Sequence, residues 1–153
     1  MDELEVKVPP PIVALAAALG MWAISRLTFA FELDTALRIA VAIVIALIGG
    51  AFSVAGIRAF RQAKTTLNPT KPEAASSLVT GGIYRVTRNP MYVGVLFVLV
   101  AWAAFLCAPW ALVGPVLFVA YMNRFQIGPE ERALMAAFGE EYARYKSEVR
   151  RWL

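Results

Sequence analysis

An uncharged apolar segment from Ile39 to Ile57 constrains this chain more than any other feature. Arg38 and Arg58 stand directly at its two ends, and no charged residue lies between them. The hydrocarbon core of a bilayer, about 30 Å thick, is crossed by roughly 20 apolar residues in an α-helix. A helix also satisfies its own backbone hydrogen bonds, which lipid cannot do. The segment therefore predicts a membrane-spanning helix over about residues 36–60.

A longer apolar segment, from Met91 to Met122, predicts two more spans. As one helix at about 1.5 Å per residue it would be roughly 48 Å long, well beyond what a bilayer needs. Pro109 and Pro115 lie near its middle, where proline removes a helical hydrogen bond and clashes with the preceding turn. We therefore expect a tight hairpin, which with an apolar segment near the N-terminus makes about four transmembrane helices. The predicted spans cover approximately residues 11–31, 36–60, 91–107 and 111–127.

The last segment is apolar on one side and polar on the other. Between Leu134 and Trp152, apolar residues recur at spacings of three or four, and the basic residues fall largely between them. This spacing is typical of an amphipathic helix, and a basic one that ends in tryptophan favours the membrane surface. The sequence predicts a C-terminal helix over residues 129–151, so that residues 1–153 form a single all-α integral membrane domain.

Lysine and arginine residues indicate how the spans are oriented. Most of those outside the spans lie in the polar loop 61–90 and in the C-terminal segment, whereas the opposite side holds only Arg26 and Arg38. Cytoplasmic loops carry the excess of basic residues in membrane proteins. We expect the loop, both termini and any active site to be cytoplasmic, in a bacterial inner membrane.

The composition argues against several kinds of function. The net charge is +4, but no pattern typical of nucleic-acid-binding proteins accompanies it, so the basic residues are interpreted as flanking the membrane. The chain contains no histidine and a single cysteine, Cys107. Because these two residue types supply most zinc and haem ligands, no metal site is expected.

Two polar clusters could carry chemistry. Arg88 and Asn89 stand where the third span begins, and the N–H groups at a helix N-terminus attract carboxylates and phosphates. Glu130 and Glu131 follow the fourth span, where a carboxylate could hold a ligand amino group or hydroxyl groups. The residue types alone favour a structural role, because arginine anchors helices at interfaces and carboxylates in a first turn offset the helix dipole.

Taken in order, the two clusters form a longer pattern. The segment LVTGGIYRVTRNPMYVG occupies Leu78–Gly94, the segment PEERALMAAFGEEYARYKSEVRRWL occupies Pro129–Leu153, and the apolar hairpin lies between them. This combination closely resembles the isoprenylcysteine carboxyl methyltransferase and phospholipid methyltransferase superfamily, over about half of the chain. The first two spans match it only as apolar helices.

The resemblance implies a membrane-embedded enzyme that transfers a methyl group from S-adenosylmethionine to a lipid-like or small apolar acceptor. The reacting group of that acceptor could be a carboxylate, an amine or a thiol. The resemblance also implies roles for individual residues. The cofactor would be lined by Tyr84, Arg88, Asn89, Pro90, Tyr92, Gly94, Glu130 and Glu131. The acceptor would be bound by Arg124, Gln126, Tyr142 and Tyr145. The residues nearest the chemistry would be Arg88, Arg124 and Glu131.

Two positions depart from the family pattern. Asn89 stands where many members have histidine, and Gln126 stands roughly where prenylcysteine enzymes have an arginine, with Arg124 nearby. A prenylcysteine acceptor is therefore not favoured. Because the chain has no histidine, a proton released by an amine acceptor would pass to a carboxylate such as Glu131, to a tyrosine or to water.

Two other functions stay open on the sequence. Some membrane sterol reductases resemble the C-terminal part and use NADPH, although this chain has no basic phosphate-binding cluster near Glu130. A non-catalytic four-helix membrane module would need the two clusters only to anchor its helices. Binding of S-adenosylmethionine, of NADPH or of neither cofactor distinguishes the three functions.

Overall fold

The chain folds as a set of helices. A computed structural model describes residues 7–63 and 77–153. These residues contain no β-strand, which confirms the predicted all-α class. Residues 64–76 of the predicted loop 61–90 lie outside the described part. The main helices are α1 (Pro10–Leu27), α2 (Thr35–Gln62), α3 (Pro90–Leu106), α4 (Val113–Tyr121) and α5 (Gly128–Glu148). Shorter elements are two 3-10 turns, Gly82–Arg85 and Pro109–Leu112, and a π-helical turn, Met122–Ile127.

Helices α1 and α2 have the length and composition of membrane-spanning helices. α1 begins at Pro10, whose fixed φ suits a first helical position. α2 follows Asp34, whose side chain accepts a hydrogen bond from the Leu37 N–H at 3.0 Å. Only 11% of the apolar window of each helix is buried, so both present their apolar side chains outward. Core helices of soluble proteins bury such faces, and the exposure indicates an integral membrane protein.

Small residues bring α3 close to α2. A β-carbon placed on Gly94 of α3 would collide with Ser53 and lie 2.6 Å from the Gly49 carbonyl oxygen. A β-carbon on Gly49 of α2 would in turn lie 2.6 Å from the Gly94 carbonyl oxygen. Small residues allow this kind of close helix crossing within membranes. Gly94, which the sequence assigned to the cofactor pocket, therefore lies at the α2–α3 crossing.

The larger apolar core lies between α1, α3 and α4. Met21 of α1 and Phe118 of α4 are almost completely buried in it. Gly114 leaves the space that the Met21 side chain occupies, because a β-carbon there would overlap the Met21 sulfur. The indole N–H of Trp102 on α3 donates to the Ala18 carbonyl of α1 at 3.1 Å. This core fixes α1 against the second half of the chain.

The chain turns after α3 close to where the hairpin is predicted. Cys107 ends α3 with a left-handed backbone (φ 52°), and Pro109 opens the 3-10 turn that leads into α4. The Arg38 side chain donates to the Phe105 carbonyl at 2.8 Å, at a helix end where carbonyl groups lack helical partners. The Phe31 N–H donates to the Cys107 carbonyl at 2.9 Å. These contacts hold the turn against the connection between α1 and α2.

The predicted span 111–127 is not one regular helix. α4 has nine residues and continues into the π-helical turn, in which the Gly128 N–H donates to the Asn123 carbonyl five residues earlier. Pro129 explains the change, because it has no N–H to donate and its ring would clash with the Phe125 carbonyl of a regular α-helix. The wider π turn accommodates the proline, and such turns are frequent at functional sites.

The backbone of the π turn continues into α5, which the sequence predicted as a separate helix over 129–151. Ile127 and Gly128 both have helical dihedral angles, so no new helix N-terminus forms before the two glutamates. The regular path is interrupted at Gly139, whose φ is 51°. α5 ends at Glu148, three residues earlier than predicted, because Val149 is extended.

The apolar stripe of α5 packs on the protein. Tyr142 and Tyr145 are buried beside Tyr84, which belongs to the 3-10 turn before α3. The same cluster includes Ala59, Phe60, Leu78, Val79, Ile83, Leu134, Phe138 and Val149. The predicted arrangement, in which this stripe lies against a membrane surface, differs from the structure because α2 and the segment before α3 cover it. The packing places the start of α5 beside the start of α3.

Candidate functional site

Three segments that are far apart in the sequence meet at the start of α3. The first is residues 87–89, which precede α3, and the second is the Glu130–Glu131 pair of α5. The third is residues 149–153, called the C-terminal strap below, which follow α5. α3 begins at Pro90 directly after Asn89, and the fixed φ of proline suits a first helical position. Arg88 therefore stands just outside the helix, facing the other two segments.

Glu131 is surrounded by cations. Its carboxylate accepts from Arg88 at 2.8 Å and from Arg151 at 2.7 Å, and Lys146 lies 3.2 Å away. The Glu131 and Arg88 side chains are both nine-tenths buried. Burial by itself would raise the pKa of Glu131, but the hydrogen bonds from Arg151, Arg88 and Lys146 outweigh it and lower the pKa to about 2. Glu131 is thus ionised at any physiological pH.

Glu130 has a different environment. Its carboxylate accepts from the Tyr92 hydroxyl and from the Gln126 amide, each at 2.6 Å. The pKa of Glu130 is raised to about 7, mainly by burial and also by the neighbouring charge of Glu131, and the two hydrogen bonds only partly offset these effects. Adjacent carboxylates whose pKa values are pushed apart are typical of sites where the two have distinct tasks.

The C-terminal strap pairs with the segment before α3. The Arg88 N–H donates to the Arg150 carbonyl at 2.9 Å. The Arg151 carbonyl accepts from the Asn89 side-chain amide at 2.9 Å and from the Thr87 hydroxyl at 3.2 Å. Asn89 therefore has a defined partner, and its side chain is fixed in place by the strap rather than by its own helix.

Tyrosines form one wall beside the two carboxylates. The Tyr145 hydroxyl donates to the Tyr84 carbonyl at 2.7 Å, and the Tyr142 ring packs against that of Tyr145. Burial raises the pKa of Tyr142 to about 12 and raises those of Tyr84 and Tyr145 as well. All three hydroxyls are neutral under physiological conditions, so the wall is uncharged.

One nitrogen of Arg88 is left without a partner. Arg88 donates to Glu131 and to the backbone carbonyls of Lys146 and Val149. Its Nε is buried and has no hydrogen-bond partner within residues 7–63 and 77–153. A buried donor without an acceptor costs roughly 1–3 kcal/mol, more when it is charged, so this nitrogen is a candidate donor to a ligand oxygen.

The structure brings together most of the residues predicted for the site. Those joined by contacts around the two carboxylates are Tyr84, Arg88, Asn89, Tyr92, Gln126, Glu130, Glu131, Tyr142 and Tyr145. Pro90 starts α3, and Gly94 faces α2. Arg124 is exposed on the π turn, with its guanidinium 5.4 Å from the centre of the Phe125 ring.

Sequence reasoning missed several residues of this cluster. They are Thr87, Asn123, Lys146, Arg151 and Trp152. Arg151 follows Glu131 by 20 positions, with the Gly139 kink and the end of α5 between them, so no helical spacing relates the two. The signal that could have found it is the excess of basic residues in the last eight positions, beside a pair of buried carboxylates that needs cations.

More than half of the chain matches a known protein family. Residues 37–141 match the phospholipid methyltransferase family. The chain belongs to the phospholipid methyltransferase family. The match covers α2, α3, α4 and most of α5, including Arg88 and both glutamates. The resemblance predicted from the sequence is thereby confirmed.

Individual relatives point the same way. A protein-S-isoprenylcysteine O-methyltransferase of Xenopus laevis is 38% identical over 73 residues, 48% of this chain and 25% of that enzyme. A methanethiol S-methyltransferase of Pseudomonas deceptionensis is 35% identical over 92 residues, 58% of this chain and 32% of that enzyme. An uncharacterised protein of Haemophilus influenzae is 46% identical over 63 residues, 41% of this chain and the whole of that protein.

The matched segment thus spans a quarter to a third of the named methyltransferases. No solved structure is significantly similar to the chain. Membership of this phospholipid methyltransferase family indicates methyl transfer as the general class of chemistry. Among the residues that the structure describes, no group of three or more potential metal ligands comes together.

Proposed function

We propose that this chain is an integral membrane methyltransferase that takes its methyl group from S-adenosylmethionine and transfers it to a lipid-like or small apolar acceptor. The observation that carries the proposal is the contact between the two family-matched clusters. Arg88 lies 2.8 Å from Glu131, and Tyr92 bonds to Glu130, although about 40 residues separate the partners in each pair. The rest of the proposal concerns how that cluster suits the cofactor.

The proposed arrangement in the membrane has four spans, with both termini and the site cytoplasmic. α1 and α2 are long enough to span, and the shorter apolar α3 with the α4 and π-turn segment would form the other two. The cations of the site, Arg88, Lys146 and Arg151, belong to the same side as the basic loop. The positive-inside rule supports that orientation, in a bacterial inner membrane.

The cations suit the carboxylate of S-adenosylmethionine. Three positive side chains surround the single charge of Glu131, and the excess positive charge attracts an anion. The unpaired Nε of Arg88 is a donor for one carboxylate oxygen. The first-turn N–H groups of α3, those of Met91 and Tyr92, are further donors close to Arg88. The residues present therefore fit this part of the cofactor.

Glu130 is the carboxylate that we assign to the cationic amino group or the ribose hydroxyls. The donors that the structure gives it, Tyr92 and Gln126, are both neutral, so its negative charge is not yet matched. The resemblance in the sequence implies this role for both Glu130 and Glu131. The structure favours Glu130, because Glu131 already has Arg88, Arg151 and Lys146 as counterions. Glu131 would orient Arg88.

Methyl transfer requires alignment of the acceptor with the methyl group more than it requires acid–base catalysis. When bound, the cofactor supplies a methyl group that its sulfonium already activates, so the protein has to align the acceptor and exclude water. The neutral wall of Tyr84, Tyr142 and Tyr145 suits that task. Both glutamates have other roles, so we favour an acceptor that reacts as an anion, a carboxylate or a thiolate, and needs no general base.

The decisive experiment is incubation of the purified protein with methyl-labelled S-adenosylmethionine and a bacterial lipid extract. Transfer of label to one chromatographic species is the expected result. Glu130→Gln should abolish the transfer, while Glu140→Gln, an exposed position on the same helix, should leave it unchanged. Calorimetry with NADPH and with S-adenosylmethionine tests the two alternative functions. Binding of NADPH without binding of S-adenosylmethionine would replace the proposal by a reductase-like function, and binding of neither by a non-catalytic module.

A further inference from the structure

Arg151 is the point where the C-terminal strap touches both clusters at once. Its side chain donates to Glu131 through two nitrogens, Nε at 2.9 Å and one terminal nitrogen at 2.7 Å. Its backbone carbonyl accepts from Asn89 and Thr87 on the opposite segment. A two-pronged contact of arginine with a carboxylate is strong and directional. One residue thus links the start of α3 to the start of α5.

The Arg151 side chain also donates to the Asn123 side-chain oxygen, through its other terminal nitrogen, at 3.4 Å. α5 ends at Glu148, and the extended Val149 donates its last helical hydrogen bond, from its N–H to the Tyr145 carbonyl at 3.1 Å. Trp152 is a further anchor of the strap, because its indole N–H donates to the Asn123 side chain at 3.0 Å and its ring packs at the edge of the larger core. Among these anchors of the strap, the Arg151–Glu131 contact is the ion pair.

Arg88 depends on the strap in turn. Its N–H donates to the Arg150 carbonyl, and its side chain donates to the carbonyls of Lys146 and Val149. These acceptors are the last carbonyls of α5 and the first of the strap. If the strap moves, Arg88 loses the carbonyl groups that orient its guanidinium. The orientation of its Nε, which has no acceptor in the described part of the protein, would change with it.

From these contacts we propose that Arg151 is a positioning residue for the methyl donor, which acts by holding the strap so that Arg88 and Asn89 present their donors to the ligand. The inference rests on the proposed function, because the ligand concerned is the donor. It assigns the last residues of the chain a part in the site. Arg150 is the matched control, since it is the adjacent arginine and its side chain is exposed.

The first measurement needs no ligand. Hydrogen–deuterium exchange of the full-length protein in detergent reports the Arg88 amide, which is protected by the Arg150 carbonyl. In Arg151→Gln we expect exchange of the peptide that contains Arg88 to accelerate by about tenfold or more, as local opening becomes easier. In Arg150→Gln, which keeps the backbone carbonyl, the rate should match that of the unaltered protein. Equal rates in all three proteins would overturn the proposal.

The second measurement separates positioning from plain stability. Calorimetric affinity for S-adenosylhomocysteine should fall in Arg151→Gln on the order of tenfold to a hundredfold, the size of effect that a misplaced binding group produces. Arg150→Gln should bind normally. Arg151→Lys keeps the cation without the two-pronged geometry, and we expect it to recover part of the lost affinity.

The two measurements also separate this inference from the proposed function. A lower melting temperature in Arg151→Gln with unchanged affinity would show a structural role only and would refute positioning. If the unaltered protein binds no S-adenosylhomocysteine while exchange still accelerates in Arg151→Gln, the proposed function fails and the positioning role fails with it, although the strap contact is real. Faster exchange together with weaker binding, in Arg151→Gln alone, supports both.

Discussion

Replacement of Glu131 by glutamine should destabilise the folded protein by about 3 kcal/mol. Removal of one partner from a buried ion pair costs roughly 3–5 kcal/mol, because the other charge stays buried without compensation. Glu131 and Arg88 meet this description, with side chains 8% and 9% exposed. Lys146 and Arg151 are 41% and 36% exposed, and exposed ion pairs contribute only about 0–1 kcal/mol. The Arg88–Glu131 pair therefore accounts for most of the loss in the free energy of unfolding, and we take the low end of the 3–5 kcal/mol range.

Thermal unfolding in detergent measures this loss. For a chain of this size, 1 kcal/mol corresponds to about 2–4 °C in melting temperature, so Glu131→Gln should melt roughly 6–12 °C lower. Glu140→Gln is the matched control, because Glu140 is exposed on the same helix and its replacement should cost less than about 0.5 kcal/mol. If both variants melt at the same temperature, the ion-pair cluster does not stabilise the fold and the reasoning is refuted.

The pH dependence gives the same prediction an independent check. The pKa of Glu131 is about 2 in the folded protein, against an ordinary value of 4.5. A carboxyl whose pKa is lowered by folding adds stability above its ordinary pKa and loses it as pH falls towards the folded value. The difference in melting temperature between the unaltered protein and Glu131→Gln should therefore be constant above about pH 5 and shrink as the pH is lowered further.

Three further predictions test other parts of the structure. Calorimetric affinity for S-adenosylhomocysteine should rise as pH increases through about 7, because Glu130 must ionise to pair with the ligand ammonium, and Glu130→Gln should abolish this dependence. Gly94→Ala should lower stability by roughly 1–3 kcal/mol in thermal unfolding, since a β-carbon there meets the α2 backbone, whereas Gly20→Ala, which faces open space, should not. Tyr145→Phe should cost about 0.5–1.5 kcal/mol in the same assay, because it removes the 2.7 Å hydrogen bond to the buried Tyr84 carbonyl.

The helical elements could be predicted because their causes are local. The uncharged segment between Arg38 and Arg58 fits a single helix, and α2 covers it with a few residues to spare. The predicted starts at residues 11 and 91 lie within one residue of the observed starts of α1 and α3, where proline suits the first helical position. The last span was harder to predict, because the Pro129 ring would clash with the carbonyl four residues earlier in a regular α-helix. The helix widens there into a π turn. A hydropathy pattern shows that a segment is apolar but not which hydrogen-bond spacing its backbone adopts.

The candidate site was likewise predictable from the sequence only in part. The two clusters, Arg88–Asn89 and Glu130–Glu131, could be singled out from the sequence, because buried charge in an apolar chain is rare and because their order resembles a known family. The separate roles of Glu130 and Glu131 could not be predicted from the sequence, because the two residues are identical and adjacent. Their difference comes from what each one faces, which is three cations for Glu131 and neutral donors for Glu130.

The sequence by itself determined that this is an all-α chain with apolar helices, polar chemistry at both ends of the hairpin and the motifs of a methyltransferase family. The helices and the positions of the polar residues follow from composition and spacing along the chain, which have their effect within a few turns of helix. The methyltransferase motifs are known by their resemblance to a family. Only the tertiary structure decided that Gly94 serves the α2–α3 crossing, and that Arg151 completes the cluster around Glu131. Contacts between residues about 20 to 60 positions apart depend on how helices end and kink, here at Gly139 and Val149. No local sequence pattern predicts which part of the protein the chain contacts after such a kink or helix end.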